Sequence, residues 1–322
     1  AKRSRSMNTQ NTQSNAMHES PLDSRATMPA MMSVTRPVYW SVRRELWENR
    51  SIYLAPLAVA AVFLFGFSIS TIGLPHKIRA MAALDLAQQH EAVVKPYDMA
   101  ALLIMGTAFI VGVFYCLDAL HGERRDRSIL FWKSMPVSDL TTVLSKASIP
   151  IVVIPLVSFA ITVATQWFML LLSSAVLLGS GLSAATLWTQ VPFVQMSLML
   201  LYHLVAIHAL WYAPLYAWLL LVSSWARRAA FLWAALPLLA IGVVEKIAFN
   251  TSYFAAMLEY RLSGGPKGVP FTAGNMLMDS MDPMMHLNPG PLLISPGLWI
   301  GLAVAAALLA AAVRIRQYRG PM

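Results

Sequence analysis

Ser51-Ile-Tyr-Leu-Ala-Pro-Leu-Ala-Val-Ala-Ala-Val-Phe-Leu-Phe-Gly-Phe-Ser-Ile-Ser-Thr-Ile-Gly-Leu74 runs for 24 residues without a charged side chain. A bilayer's hydrocarbon core is about 30 Å thick, which an α-helix crosses in about 20 residues. In that solvent the backbone must satisfy its own hydrogen bonds, so such a run crosses as a helix. Five more runs of sufficient length lie near 99–117, 148–178, 191–222, 229–249 and 292–313. The sequence predicts an all-α polytopic membrane protein with six transmembrane helices. Composition agrees: of 322 residues 57% are hydrophobic and 12% charged, where a soluble domain carries about 25% charged residues. A soluble enzyme, a disordered chain and a disulfide scaffold are excluded. Cys116 is the single cysteine, so neither an intrachain disulfide nor a cysteine-built zinc cluster can form.

The net charge is +9, which in another setting would suggest nucleic acid. Here the basic residues gather beside the apolar runs, as at Arg43-Arg44, Arg124-Arg125, Arg227-Arg228 and Arg314/Arg316/Arg319. That is the positive-inside pattern of membrane loops. With both termini in the cytoplasm, 18 of the 24 Lys and Arg fall inside. Six fall outside: Lys77, Arg79, Lys95, Lys246, Arg261 and Lys267. Both termini are expected in the cytoplasm, and no nucleic-acid partner is expected.

Residues 1–36 are polar and of low complexity, a tail expected to be disordered, and the six-span domain is placed at 37–319. Between Pro37 and Arg50, Tyr39, Val42 and Leu46 recur at helical spacing, with Trp40 and Trp47 nearby and Arg43 and Arg44 between them. This is the make-up of an interfacial elbow helix lying on lipid. The alternative is the start of the first span. The third and fourth runs reach about 30 residues, or about 45 Å, so they must tilt or project beyond the bilayer. Among the outer loops, 75–98 is polar and expected to be helical, 179–190 is short, and 250–291 is long.

The loop after the second run is the most informative: Asp118-Ala-Leu-His-Gly-Glu-Arg-Arg-Asp-Arg-Ser-Ile-Leu-Phe-Trp-Lys-Ser-Met-Pro-Val-Ser-Asp139. Charges crowd into Glu123–Arg127, an apolar stretch Ile129–Trp132 follows, and Ser138 or Asp139 can cap the next helix. Aromatic anchors amid charges of both signs suit docking into a groove on a partner. A helix resting on lipid would use the same residues.

The string from Glu123 to Asp139, followed by Thr142-Val-Leu-Ser-Lys146, resembles the coupling-helix region of ABC-2-type transporter permeases. Residues 210–237 and 295–319 resemble the same family, in the same order within a six-span layout. The resemblance implies a permease subunit of an ATP-binding-cassette exporter, in the plasma (inner) membrane of a bacterium. It would have no ATPase site of its own. A second permease subunit would complete a homo- or heterodimer, and separate ATPase subunits would bind ATP and Mg. It further implies that Glu123, Arg124, Arg125, Asp126, Arg127, Phe131, Trp132 and Pro136 contact the ATPase. The elbow residues Trp40, Arg43, Arg44 and Trp47 would lie beside them, and 250–291 would supply short outer helices that help close the pathway. The sequence has no G-x-x-x-x-G-K-[ST]; Gly264-Gly265-Pro266-Lys267-Gly268 has the wrong spacing.

Four polar residues in the runs are candidates for the pathway: Gln166, His203, His208 and Glu245. Ionisable groups in a membrane point to function, while interhelical hydrogen bonding is the plainer role for Gln166 and the histidines. A spacing of five keeps His203 and His208 off one face of an α-helix. Gly297-x-x-x-Gly301 permits close helix approach. No protein-held metal is expected. The outer stretch with Met278, Met281, Met284, Met285 and His286 offers soft donors that suit Cu(I), or simply a methionine face against lipid. Hydrolase motifs are absent. The competing functions are an ion- or proton-coupled secondary transporter, which carries ionisable groups at the midplane, and a non-transporting scaffold.

Overall fold

In the computed structural model, residues 35–81, 85–134, 138–262 and 293–318 are described, and all their regular elements are helices. The 1–36 tail falls almost wholly outside them, as do Pro136 and the methionine-rich stretch. Helix α1 covers Thr35–Glu48, α2 Ser51–Thr71, α3 Leu74–Met81, α4 Leu86–Ala119, α5 His121–Arg125 and α6 Ser128–Ser134. Then come α7 (Asp139–Ser148), a π-helical turn (Ile149–Val153) and α8 (Ile154–Gly179). After α9 (Ala185–Gln190), α10 (Phe193–His203) leads through a second π segment (Leu204–Trp211) into α11 (Ala213–Trp225). Helices α12 (Ala230–Phe249), α13 (Tyr253–Leu262) and α14 (Pro296–Tyr318) complete the chain.

Among the described residues, six helical stretches are long and apolar enough to cross a bilayer: Ser51–Thr71, Gln88–Arg125, Asp139–Gly179, Leu187–Trp211, Ala230–Phe249 and Pro296–Tyr318. The chain is a multi-pass membrane protein. Its apolar surface is in large part exposed, as Phe65, Phe114, Ile247 and Trp299 illustrate, because lipid takes the place of a protein core for those side chains. The interior is formed where α4, α8, α11 and α14 meet, around Ile104, Cys116, Trp211, Tyr216 and Leu220.

The long third run is longer than its apolar part: α7, the π turn and α8 form one rod of 41 residues, about 62 Å at 1.5 Å per residue. Pro150 and Pro155 cannot donate to the carbonyls four residues back, and the wider turn between them takes up the mismatch. Between α4 and the second half of α8, Val93, Tyr97, Met169, Leu170, Leu177, Leu187 and Val191 build a second small core, with Phe63 and Phe67 of α2 packed against it. The fourth run is not one helix. The second π segment and Pro214 interrupt it, and the Tyr212 amide bonds to the carbonyl of Ile207, five residues back, at 3.0 Å.

Candidate functional site

Helix α1 carries two different faces. Tyr39, Trp40 and Trp47 are exposed, and the Arg43 guanidinium lies 5.2 Å from the Trp40 ring and 5.3 Å from the Trp47 ring. Positions 40, 43 and 47 share one side of a helix. Arg44 turns away and pairs with Glu48 at 2.6 Å. The opposite side presents Glu45, which is 5% exposed.

Glu45 begins a buried ion network. Its carboxylate accepts from Lys146 Nζ of α7 at 2.7 Å, from Tyr115 OH of α4 at 2.9 Å and from Asn49 Nδ2 at 3.3 Å. The Lys146 ammonium also lies 3.2 Å from Glu123 Oε1 on α5. Glu123 Oε2 in turn meets Arg316 Nη1 of α14 at 2.5 Å, and Arg316 Nε donates to Asp139 at the start of α7 at 2.9 Å. Three carboxylates and two cations therefore tie α1, α5, α7 and α14 together. Burial of any one of these charges alone would be prohibitive, so each depends on the others. Neighbouring hydrogen bonds complete the site. Arg124 donates to the Ser224 and Ala226 carbonyls at the end of α11, at 2.9 and 3.3 Å. The Ser223 hydroxyl accepts from the Leu120 and His121 amides at 3.0 and 2.9 Å, satisfying the first N–H groups of α5. Ser138 caps α7 by accepting from the Thr141 amide at 3.1 Å.

The charged loop residues thus divide. Glu123 and Arg124 point inward and are almost fully buried. In this conformation both side chains are engaged within the chain, Glu123 with Lys146 and Arg316 and Arg124 with the end of α11. Arg125, Asp126, Arg127 and Phe131 remain exposed. Trp132 lies in α6. Arg127 adopts φ of 60° at the break between α5 and α6, a left-handed conformation that turns the chain sharply. Sequence reasoning missed Glu45, Lys146, Asp139 and Arg316 as partners, because no local pattern links residues so far apart in the chain.

The remaining candidates are scattered. Gln166, buried in α8, donates to the Tyr97 carbonyl of α4 at 3.2 Å, an interhelical bond. His203 Nδ1 lies 3.0 Å from the Met199 carbonyl. His208 stands edge-on to Phe109 and Tyr212 at 6.1 and 5.7 Å between ring centres. A spacing of five separates these histidines on an α-helix, whereas the π segment Leu204–Trp211, with bonds five residues apart, turns such positions back toward one side. Glu245 is a helix cap: it accepts from Thr251 Oγ1 and from the Tyr253 and Phe254 amides at 2.7–2.8 Å, fixing the start of α13. The Cu(I) candidates lie outside the described residues.

The fold and the network together define a polytopic α-helical membrane protein whose spans are joined by buried ions at one end. No protein-family model, curated protein or solved structure matches the chain.

Proposed function

We propose that the chain is the permease subunit of an ATP-binding-cassette exporter, coupled to separate ATPase subunits that bind ATP and Mg. The observation that carries this reading is the two-sidedness of α5 and α6. One side offers Arg125, Asp126, Arg127, Leu130 and Phe131 to a partner. The other is anchored through Glu123 and Arg124 to elements that continue into the spans. A push on the exposed side is delivered to α7, α11 and α14 through rigid, charge-assisted contacts. The ordered similarity of three stretches to ABC-2-type permeases supports the same assignment. On this reading the ion network lies at the cytoplasmic face, with both termini, in a bacterial inner membrane. The aromatic–arginine face of α1 rests on lipid as an interfacial elbow, and a second permease subunit completes the pathway.

Purification in mild detergent tests it. An ATP-binding-cassette protein is expected to co-elute, and Trp132→Ala combined with Arg125→Glu is expected to uncouple ATP hydrolysis from transport while the protein stays folded. Transport that survives ATP depletion, with no such protein co-eluting, sinks the proposal.

A further inference from the structure

Helix α13 does not stay at the rim. It starts where α12 ends, yet its last turn lies against Trp211 and against Gly297 and Gly301 of α14. Gly301 is 15 positions from Arg316, about 22 Å along α14 at 1.5 Å per residue. The 20 residues of α12 measure about 30 Å by the same rule. Gly301 also lies five positions, about 8 Å, inside the start of α14 at Pro296, so the Arg261 guanidinium packs beside an apolar candidate span rather than beyond its end.

An arginine at that depth needs its charge and its donors satisfied. Nη1 donates to the Trp211 carbonyl at 3.4 Å, Nη2 donates to the Gly297 carbonyl, and Cζ lies 4.4 Å from the centre of the Trp211 ring. The contact is reciprocal. Trp211 Nε1 donates to the Arg261 carbonyl at 2.9 Å and Tyr212 OH to the Leu262 carbonyl at 3.0 Å, supplying donors to carbonyls that a helix end leaves open. Among the described residues no carboxylate lies within ion-pair distance of Arg261. The notch depends on glycine: a methyl group at 301 would stand 2.7 Å from Cζ and 2.8 Å from Nη1 of Arg261, so the guanidinium would have to shift from its present seat.

We propose that α13 is a strap with one fixed and one releasable end. The fixed end is the corner held by Glu245, and the releasable end is Arg261 in the Trp211–Gly297–Gly301 notch. Neutral carbonyls and an aromatic face hold the cation there, so its release separates no ion pair among the described residues. A long side chain can also carry the charge out to the headgroups as the strap lifts. This distinguishes it from Arg316, which cannot leave without breaking two ion pairs, with Glu123 and with Asp139.

Hydrogen exchange of the full chain in lipid nanodiscs, read by mass spectrometry, tests the strap without any motor subunit. Arg261→Met and Gly301→Ala are each expected to speed exchange across 257–262 about tenfold, equivalent to about 1.4 kcal/mol. Because both break one contact, the double variant is expected to exchange no faster than either single one. Exchange in α11 and α14 is expected to stay at the wild-type rate. Unchanged exchange at 257–262 in Arg261→Met overturns the proposal, as does an additive double variant. So does acceleration spread through α11 and α14, which would make Arg261 an ordinary packing residue. If Gly301→Ala fails to fold, Arg261→Met alone decides.

Discussion

Arg316 projects from α14 and Arg261 packs against the same helix about four turns away, and the two are satisfied in opposite ways. Arg316 is 4% exposed and bonded to two carboxylates that are themselves shared with or neighboured by other charges. Among the described residues Arg261 meets carbonyl dipoles and a tryptophan face. Where opposite charges are buried together, each becomes indispensable to the others. Where one charge is met by neutral groups, its departure leaves little behind. The first arrangement suits a joint that transmits force, and the second a contact that opens and closes.

Substitutions in and around the two sites put that contrast to the test. The largest effect is expected from Glu123→Gln. It leaves Lys146 and Arg316 short of a counter-charge, and loss of one member of a buried ion network costs about 3–5 kcal/mol. Unfolding in mixed micelles should register it, and a loss of under about 1 kcal/mol, the surface-pair scale, would mean the network is not interdependent. Lys146→Met is expected to be comparably damaging alone. Combined with Glu45→Gln it should recover part of the loss, since the double variant removes both members of the pair; strict additivity would break the reading. Ser223→Ala comes next. Stranding the Leu120 and His121 amides is expected to cost about 1–3 kcal/mol, which the same titration measures, with local exchange at α5 rising. Trp211→Phe keeps an aromatic face for Arg261 but removes the Nε1 donor, so a loss of about 1 kcal/mol is expected. The smallest effect belongs to the surface. Arg44→Ala, which breaks an exposed pair with Glu48, should change stability by about 1 kcal/mol or less.

The fold class was legible because apolar run length is a direct consequence of bilayer thickness, and the helices at 51–71, 230–249 and 296–318 follow their runs closely. The break in the fourth run was not legible. A π segment needs no special residue, and Pro214 alone signals only a place where a helix can begin or bend. In the loop after the second span, five charges stand in a row, and each step along a helix turns the side chain by about 100°. Sequence shows that some must face inward but not that Glu123 and Arg124 do. The ion partners were hidden for a different reason: Glu45 and Lys146 sit on separate helices, and only the packing of α1 on α7 joins them. Gly297 and Gly301 were legible as a place of close approach. What approaches is a guanidinium rather than a helix backbone.

Because α14 is gripped at both ends, it also behaves as a ruler. The Gly301 notch and the Arg316 pairing must present the correct sides of one continuous helix, 15 positions apart. Inserting a single residue between them would rotate one grip by about 100° relative to the other and lengthen the rod by about 1.5 Å. Seven inserted residues nearly restore the facing but separate the grips by a further 10 Å or so. Length changes in this segment should therefore be tolerated far less than substitutions on its lipid side, such as at Ile300 or Val304, both well exposed.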